Sequence, residues 1–392
     1  MPWIVCLAWP RRAWIPWPGS CGKYSCMTDL SDRLLNLAIA IQQIPAPTFH
    51  EAKRAEFVRL SFVDEGLADV EVDEAGNVYA RLSGRDSGRA LVVSAHLDTV
   101  FLPNIDLHIE REAGRILAPG IGDNSLGVAG LFGLVWALRE RSLTLPGDLW
   151  LVANTCEEGL GDLRGIRAVV DHFGSTPLAY IVLEGMALGQ VYHRGLGVCR
   201  YRVTVRTSGG HSWIDYGQPS AIHELTALST RIAALNPPKV PRTTFNIGVI
   251  SGGSSVNTIA AEAMLELDLR SEDTGMLEHL SGQVEQIVRL AQKPGVTIEV
   301  EIIGQRPWGE LPGEHPLVKL AQDCLRLAGV EPHLNTGSTD ANLPLSLGLP
   351  AITIGLTTGG RAHTVQEFIN LAPLGKGMDQ MLRLVSRVWD TL

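Results

Sequence analysis

Apolar residues recur at helical spacing over residues 30–44 and 50–66, with Pro45-Ala46-Pro47 breaking the period between them. Val70 to Val72, a Gly76-Asn77 turn and Val78 to Leu82 predict a β-hairpin. Short unbroken apolar runs follow at Leu91 to Ser94, Leu149 to Ala153, Ala179 to Leu183 and Pro350 to Gly355, and helical patterns at 125–141 and 315–329 separate them. Unbroken apolar strands alternating with helices predict a parallel α/β sheet covered on both faces. The pattern changes between 194 and 303. Arg200 to Arg206, Thr244 to Ile250 and Ala261 to Arg270 alternate polar and apolar, as strands with one wet face do. With helices at 218–235 and 274–292 and a strand at 297–302, they make a βαββαβ set of the ferredoxin-like kind. The expected organisation is therefore a discontinuous α/β domain, 27–193 and 304–392, with a smaller domain inserted at 194–303.

The first 26 residues fit none of this. Trp3, Trp9, Trp14 and Trp17 are four of the nine tryptophans, set among Pro10, Pro16 and Pro18 without any period. No positive charge precedes the first apolar stretch, so a signal peptide is not expected. Met27 precedes Thr28-Asp29-Leu30-Ser31-Asp32, a capped helix start. The expectation is that translation begins at Met27 and that residues 1–26 are a non-native or disordered extension.

Composition narrows the function. The 392 residues are 45% hydrophobic, enough for a large core and two domains. A net charge of −9 without a Lys/Arg-rich run argues against nucleic acid or an anionic membrane as partner. No apolar run approaches the roughly 18 residues of a membrane span. Six scattered cysteines show no disulfide spacing, which points to a reducing, cytoplasmic compartment.

The chemistry lies just past the ends of the apolar strands, where open α/β sheets place their ligands. Glu157 and Glu158 follow Leu149 to Ala153, His96 and Asp98 follow Leu91 to Ser94, and Glu184 follows Ala179 to Leu183. Asp123 lies between these segments and His363 late in the chain. Adjacent carboxylates repel and resist desolvation unless a cation neutralises them. Imidazole with carboxylate suits zinc, cobalt or manganese better than calcium or magnesium. A bridging carboxylate can hold two such ions about 3.5–4 Å apart, and a free carboxylate beside them can act as a base. Glu157 is the candidate base. Asp98, on the same side of an extended segment as His96, could fix the imidazole tautomer or cap the next turn. Asp123-Asn124-Ser125 could cap the following helix as well as bind metal.

The set His96-Leu97-Asp98, Asp123, Glu157-Glu158, Glu184 and His363 resembles the M20 family of metallopeptidases and deacylases over almost the whole chain from Leu30. That resemblance implies an α/β zinc-hydrolase domain with an inserted ferredoxin-like lid that also dimerises. It implies that His96 and Glu184 bind one divalent ion, that Glu158 and His363 bind the other, and that Asp123 bridges. Glu157 would be the general base and Asp98 the residue orienting His96. In Ser208-Gly209-Gly210-His211-Ser212, His211 matches the His that reaches a partner subunit's active site and polarises the scissile carbonyl. Asn257, Arg270 and Asp340 match substrate-side positions, Arg270 as a grip on a carboxylate. Ala95 stands where Gly is common, and Asn124-Ser125 follows Asp123 in place of the usual Asp-Lys or Lys-Gly. Glu184 is typical of the deacylase and carboxypeptidase branches; Gly337 to Ala341 and Thr357 to Thr364 are closer to the tripeptide aminopeptidase branch. The expected activity is cleavage of an amide bond in a small substrate by a homodimer with two metal ions, zinc foremost and cobalt or manganese as alternatives. A short peptide comes first as substrate and an N-acyl amino acid or a carboxypeptidase substrate second. A non-catalytic peptide-binding relative is the reading from outside the enzyme class. A dinucleotide-dependent oxidoreductase is disfavoured, because Gly120-Ile121-Gly122 with Gly127 lacks the phosphate-loop spacing.

Overall fold

The computed structural model describes residues 25–86 and 88–392. The expectation for residues 1–26 therefore lies almost wholly outside the described residues. The first helix is Ser25–Gln42. Thr28 and Asp29 thus lie within a helix instead of capping one, and Leu30, Leu34, Ala38 and Ile41 further along it form one helical stripe.

The large sheet is built around four parallel strands in the spatial order Gly147–Asn154, Gly88–His96, Tyr180–Glu184 and Ala351–Gly355. The hairpin strands Ala68–Val72 and Val78–Leu82 extend it antiparallel on one side. Gln190–Gly195 extends it antiparallel on the other. Tyr180 to Leu183 and Ala351 to Gly355 are buried throughout, which is why their sequences run apolar without alternation. Because the four strands are parallel, their C-terminal ends lie along one edge of the sheet. His96, Glu184 and the turn after Asn154 are thereby brought side by side.

Helix Leu126–Glu140 packs under that edge with every residue from Leu126 to Leu138 buried. Its sequence is apolar all round, so it can only be a core helix or a membrane span. The stretch Ile121–Glu140 does meet the length and composition of a span, which the sequence expectation missed, but 94% of its apolar window is buried in this fold. Phe132 stacks on Phe62 with ring centroids 4.5 Å apart, joining this helix to Ala52–Asp64.

The second sheet is antiparallel, in the order Thr243–Gly252, Glu262–Ser271, Gly197–Arg206, Thr297–Arg306. Helices Ala221–Ala233 and Thr274–Ala291 cover one face, where Tyr201, Val203, Val205, Leu265 and Leu267 form a core of their own. The element order is the expected βαββαβ. The uncovered face carries Arg200, Arg202 and Arg206 in cross-strand ion pairs with Asp268, Glu266 and Glu262. Opposite charges directly across a strand pair satisfy the polar half of the alternation.

Phe132→Ala would open a cavity in the core between helices Ala52–Asp64 and Leu126–Glu140. It is expected to cost about 3–5 kcal/mol, read as a lower urea midpoint at unchanged m-value.

Candidate metal centre

Two imidazoles converge on one carboxylate. Nε2 of His96 lies 3.1 Å from Oδ1 of Asp123, and Nε2 of His363 lies 3.0 Å from Oδ2 of the same residue. Glu184 completes one group, its Oε2 3.8 Å from His96 Nε2, and Glu158 the other, its Oε1 3.1 Å from His363 Nε2. Two three-residue groups of ligand type thus share Asp123, and a third, His96 with Glu157 and Glu158, overlaps them. His96 is buried at its strand end, whereas His363 is half exposed on a loop and has a positive φ of 64°.

Other buried carboxylates hold the loops that carry these ligands, by accepting main-chain N–H groups. Asp98 takes the amides of Glu157 and Glu158 on its two oxygens, at 2.9 Å each, and the Thr48 hydroxyl. Glu367 takes the amides of Gly120, Gly122 and Asp123. Glu51 takes the amide of Cys156. The Asn124 side chain donates to Leu183 O and accepts from Gly185 N, tying the Asp123 turn to the end of the Glu184 strand. The turn after Asn154 is sharp: Cys156, Asp162 and Leu163 all have positive φ, near 54–59°. It closes against the start of helix Arg164–Phe173 at Gly165, where a Cβ would stand 2.1 Å from Thr155 O, so no larger residue fits.

The electrostatics follow from crowding acids in a dry place. Burial pushes Glu158 and Glu184 up to about 7, with Asp123 and Glu157 adding repulsion to each. Asp123 is partly buried, yet hydrogen bonds from His363 and His96 hold it below the ordinary carboxylate range. In return His363 is raised to about 10 by Asp123 and Glu158. Four carboxylates in one cluster demand positive charge, and two imidazoles with carboxylate oxygens are donors suited to zinc, cobalt or manganese. The residues present fit a pair of divalent ions.

All five expected ligands and Glu157 come together, and the remaining expectations divide. Asp98 faces His96, but its carboxylate is 3.6 Å from Nδ1, too long for a hydrogen bond, while its main-chain carbonyl is at 3.0 Å. The carbonyl therefore orients the ring and the carboxylate anchors the Glu157–Glu158 turn. Asp340 does not face the pocket: it is fully buried and accepts from Asn154 Nδ2 at 2.8 Å, while Ser338 and Thr339 beside it line the pocket. Arg270 lines the pocket, its Nε on Asp268. His211 and Asn257 are exposed and do not line it; they adjoin each other on the lid, where Ser212 N donates to Asn257 O. His211 Nδ1 accepts from the Trp213 amide, which leaves the proton of a neutral ring on Nε2.

Four residues that matter here carried no motif. Arg200 lines the pocket beside Arg270 and shares Asp268 with it. Arg306 is buried against Glu157 at 2.8 Å. Glu51 and Glu367 read as ordinary acids in the sequence. Only Arg306 had a positional signal, since it stands where the inserted domain returns to the first.

The model of peptidase family M20/M25/M40 matches residues 92–387. The succinyl-diaminopimelate desuccinylase of Corynebacterium glutamicum is 25% identical over 86% of this chain and 92% of its own. A tripeptidase of Staphylococcus aureus superposes with a TM-score of 0.75 at 22% identity, over 91% of this chain and 98% of its own. A dinuclear metal-binding peptidase of the M20 family from Bacillus subtilis superposes with a TM-score of 0.65 at 17% identity, over 93% of this chain and all of its own.

Asp98→Asn would turn an amide donor toward one of the two main-chain N–H groups that the carboxylate now accepts. It is expected to weaken binding of a divalent ion by about 10–100-fold, measured by competition with a chelating dye.

Proposed function

The chain belongs to peptidase family M20/M25/M40 and is a hydrolase of amide or peptide bonds; from that premise we propose that it is a dinuclear metal enzyme acting on small substrates with a free carboxylate. The observation that carries this reading is Asp123, which offers one oxygen toward each of two histidines. His96 and Glu184 would hold one ion, Glu158 and His363 the other. When bound, the ions supply the Lewis acid that polarises the scissile carbonyl and acidifies water. Glu157 stands beside the cluster without being needed as a ligand. It takes the proton of the attacking water and returns it to the departing nitrogen, so that nitrogen leaves as an amine.

The pocket supports carboxylate recognition. Arg270 and Arg200 present guanidinium groups to it, and among its described lining residues every acid is either a candidate metal ligand or Glu157. No acid there is left to read a substrate amine. This favours an N-acyl amino acid, or the C-terminal residue of a short peptide, over recognition of an amino terminus. A tripeptide also ends in a carboxylate and is the second reading.

His211 would act in a partner's site. It is exposed, its Nε2 proton is free to donate, and Trp213, Ile214, Tyr216 and Val256 around it are 77–102% exposed apolar residues. That surface supports a homodimer in which each lid tip closes the other copy's pocket.

The purified protein is expected to hold about two zinc, cobalt or manganese equivalents, and a chelator is expected to abolish cleavage across a panel of N-acyl amino acids and short peptides. No metal after reconstitution and no cleavage would sink the reading. Glu157→Gln is expected to keep its metal and lose about 10²–10⁴-fold in kcat. Turnover at the normal rate in the metal-loaded variant would remove Glu157 from the role of base.

A further inference from the structure

We infer that Arg306 is a positioning residue for Glu157: it fixes the carboxylate that moves the proton, and it does so from the last residue of the lid sheet. The inference rests on the reading of Glu157 as the base. Arg306 ends the strand Thr297–Arg306 and is only 4% exposed. Its Nη1 donates to Glu157 Oε1 at 2.8 Å and to the carbonyl and hydroxyl of Ser338 at 3.2 and 3.1 Å. Its Nη2 donates to the main-chain carbonyl of Glu157. One planar fork therefore grips both the side chain and the backbone of the same residue, which a lysine could not do. No described residue donates to the other carboxylate oxygen, Oε2, so Glu157 is held at one oxygen and free to work at the other.

The contrast with Arg270 separates positioning from substrate binding. Arg270 is 40% exposed and uses only Nε within the protein, leaving both of its terminal nitrogens to a ligand. Arg306 has both terminal nitrogens engaged by Glu157 and Ser338 and little surface to offer. Its grip is also part of a larger seam. Gln305 N donates to Asp162 Oδ1 at 2.6 Å, Arg167 donates to Gln305 O at 2.8 Å, and Arg200 donates to Gly159 O at 2.6 Å. The lid strands thus hold the Glu157–Asp162 turn at three residues, Glu157, Gly159 and Asp162, in a stretch whose positive φ values give it little local preference for its own shape.

The test is a set of variants of the metal-loaded full chain, each checked for metal content and thermal melting. Arg306→Met is expected to lower kcat on the order of 10²-fold, with KM and bound metal unchanged. Arg306→Lys, a charge without the fork, should fall between. Added guanidinium should return part of the activity to Arg306→Ala and none to Glu157→Gln. In a Glu157→Gln background, Arg306→Met should cost nothing further. A rise in KM at constant kcat would make Arg306 a substrate contact and overturn the inference, as would an equal loss in the Glu157→Gln background. Unchanged kcat in Arg306→Met beside an inactive Glu157→Gln would overturn it alone, whereas full turnover in Glu157→Gln would remove the base and the inference together. Where Arg306→Met does not fold, Arg306→Lys carries the same comparison of kcat with KM.

Discussion

Four carboxylates gathered at the end of a buried parallel sheet are the constraint around which this molecule is arranged. Each would rather be in water, and together they repel. Asp123, Glu158 and Glu184 share His96 and His363, and Glu157 meets Arg306, so three nitrogen partners face four acids and the cluster still calls for positive charge. Parallel strands make the gathering possible, since they alone deliver successive chain ends to one edge. The same edge needs an all-apolar floor, and helix Leu126–Glu140 provides it.

A second set of acids does a different job. Asp98, Glu51 and Glu367 do not reach the cluster's centre as ligands; they accept main-chain N–H groups from the turns that carry the ligands. Irregular turns leave amides without helix or sheet partners, and a buried amide without an acceptor is costly. A carboxylate with two oxygens can satisfy two or three amides and pin the turn at the same time. The centre is thus an inner ring of acids and imidazoles inside an outer ring of acids that hold backbone.

The lid enters this scheme from two directions. Through Arg200, Gln305 and Arg306 it holds the Glu157 turn of its own chain. Through Arg270 and Arg200 it faces the pocket with positive charge, opposite the negative cluster. A ligand lying between them would meet positive charge on one wall and the acid cluster on the other. Its tip, with His211 and the exposed residues Trp213 and Tyr216, does not line this pocket.

The sequence by itself determined the α/β sheet, the βαββαβ insertion and the five candidate ligands with Glu157. Those are properties of local periodicity and of residue type at strand ends, and short-range sterics and burial enforce them wherever the pattern occurs. It misplaced Asp340, because a turn residue beside pocket-lining Ser338 and Thr339 can point either way and only packing against Asn154 chose. It gave Asp98 to the imidazole, because both lie on one side of an extended segment, and could not show that amides 157 and 158 lie closer to the carboxylate. Arg306 left only its place at the return from the inserted domain, and Glu51 and Glu367 left no local trace. Their partners are 149, 105 and more than 240 residues away, and a contact at that separation exists only once the whole sheet and the lid have been assembled.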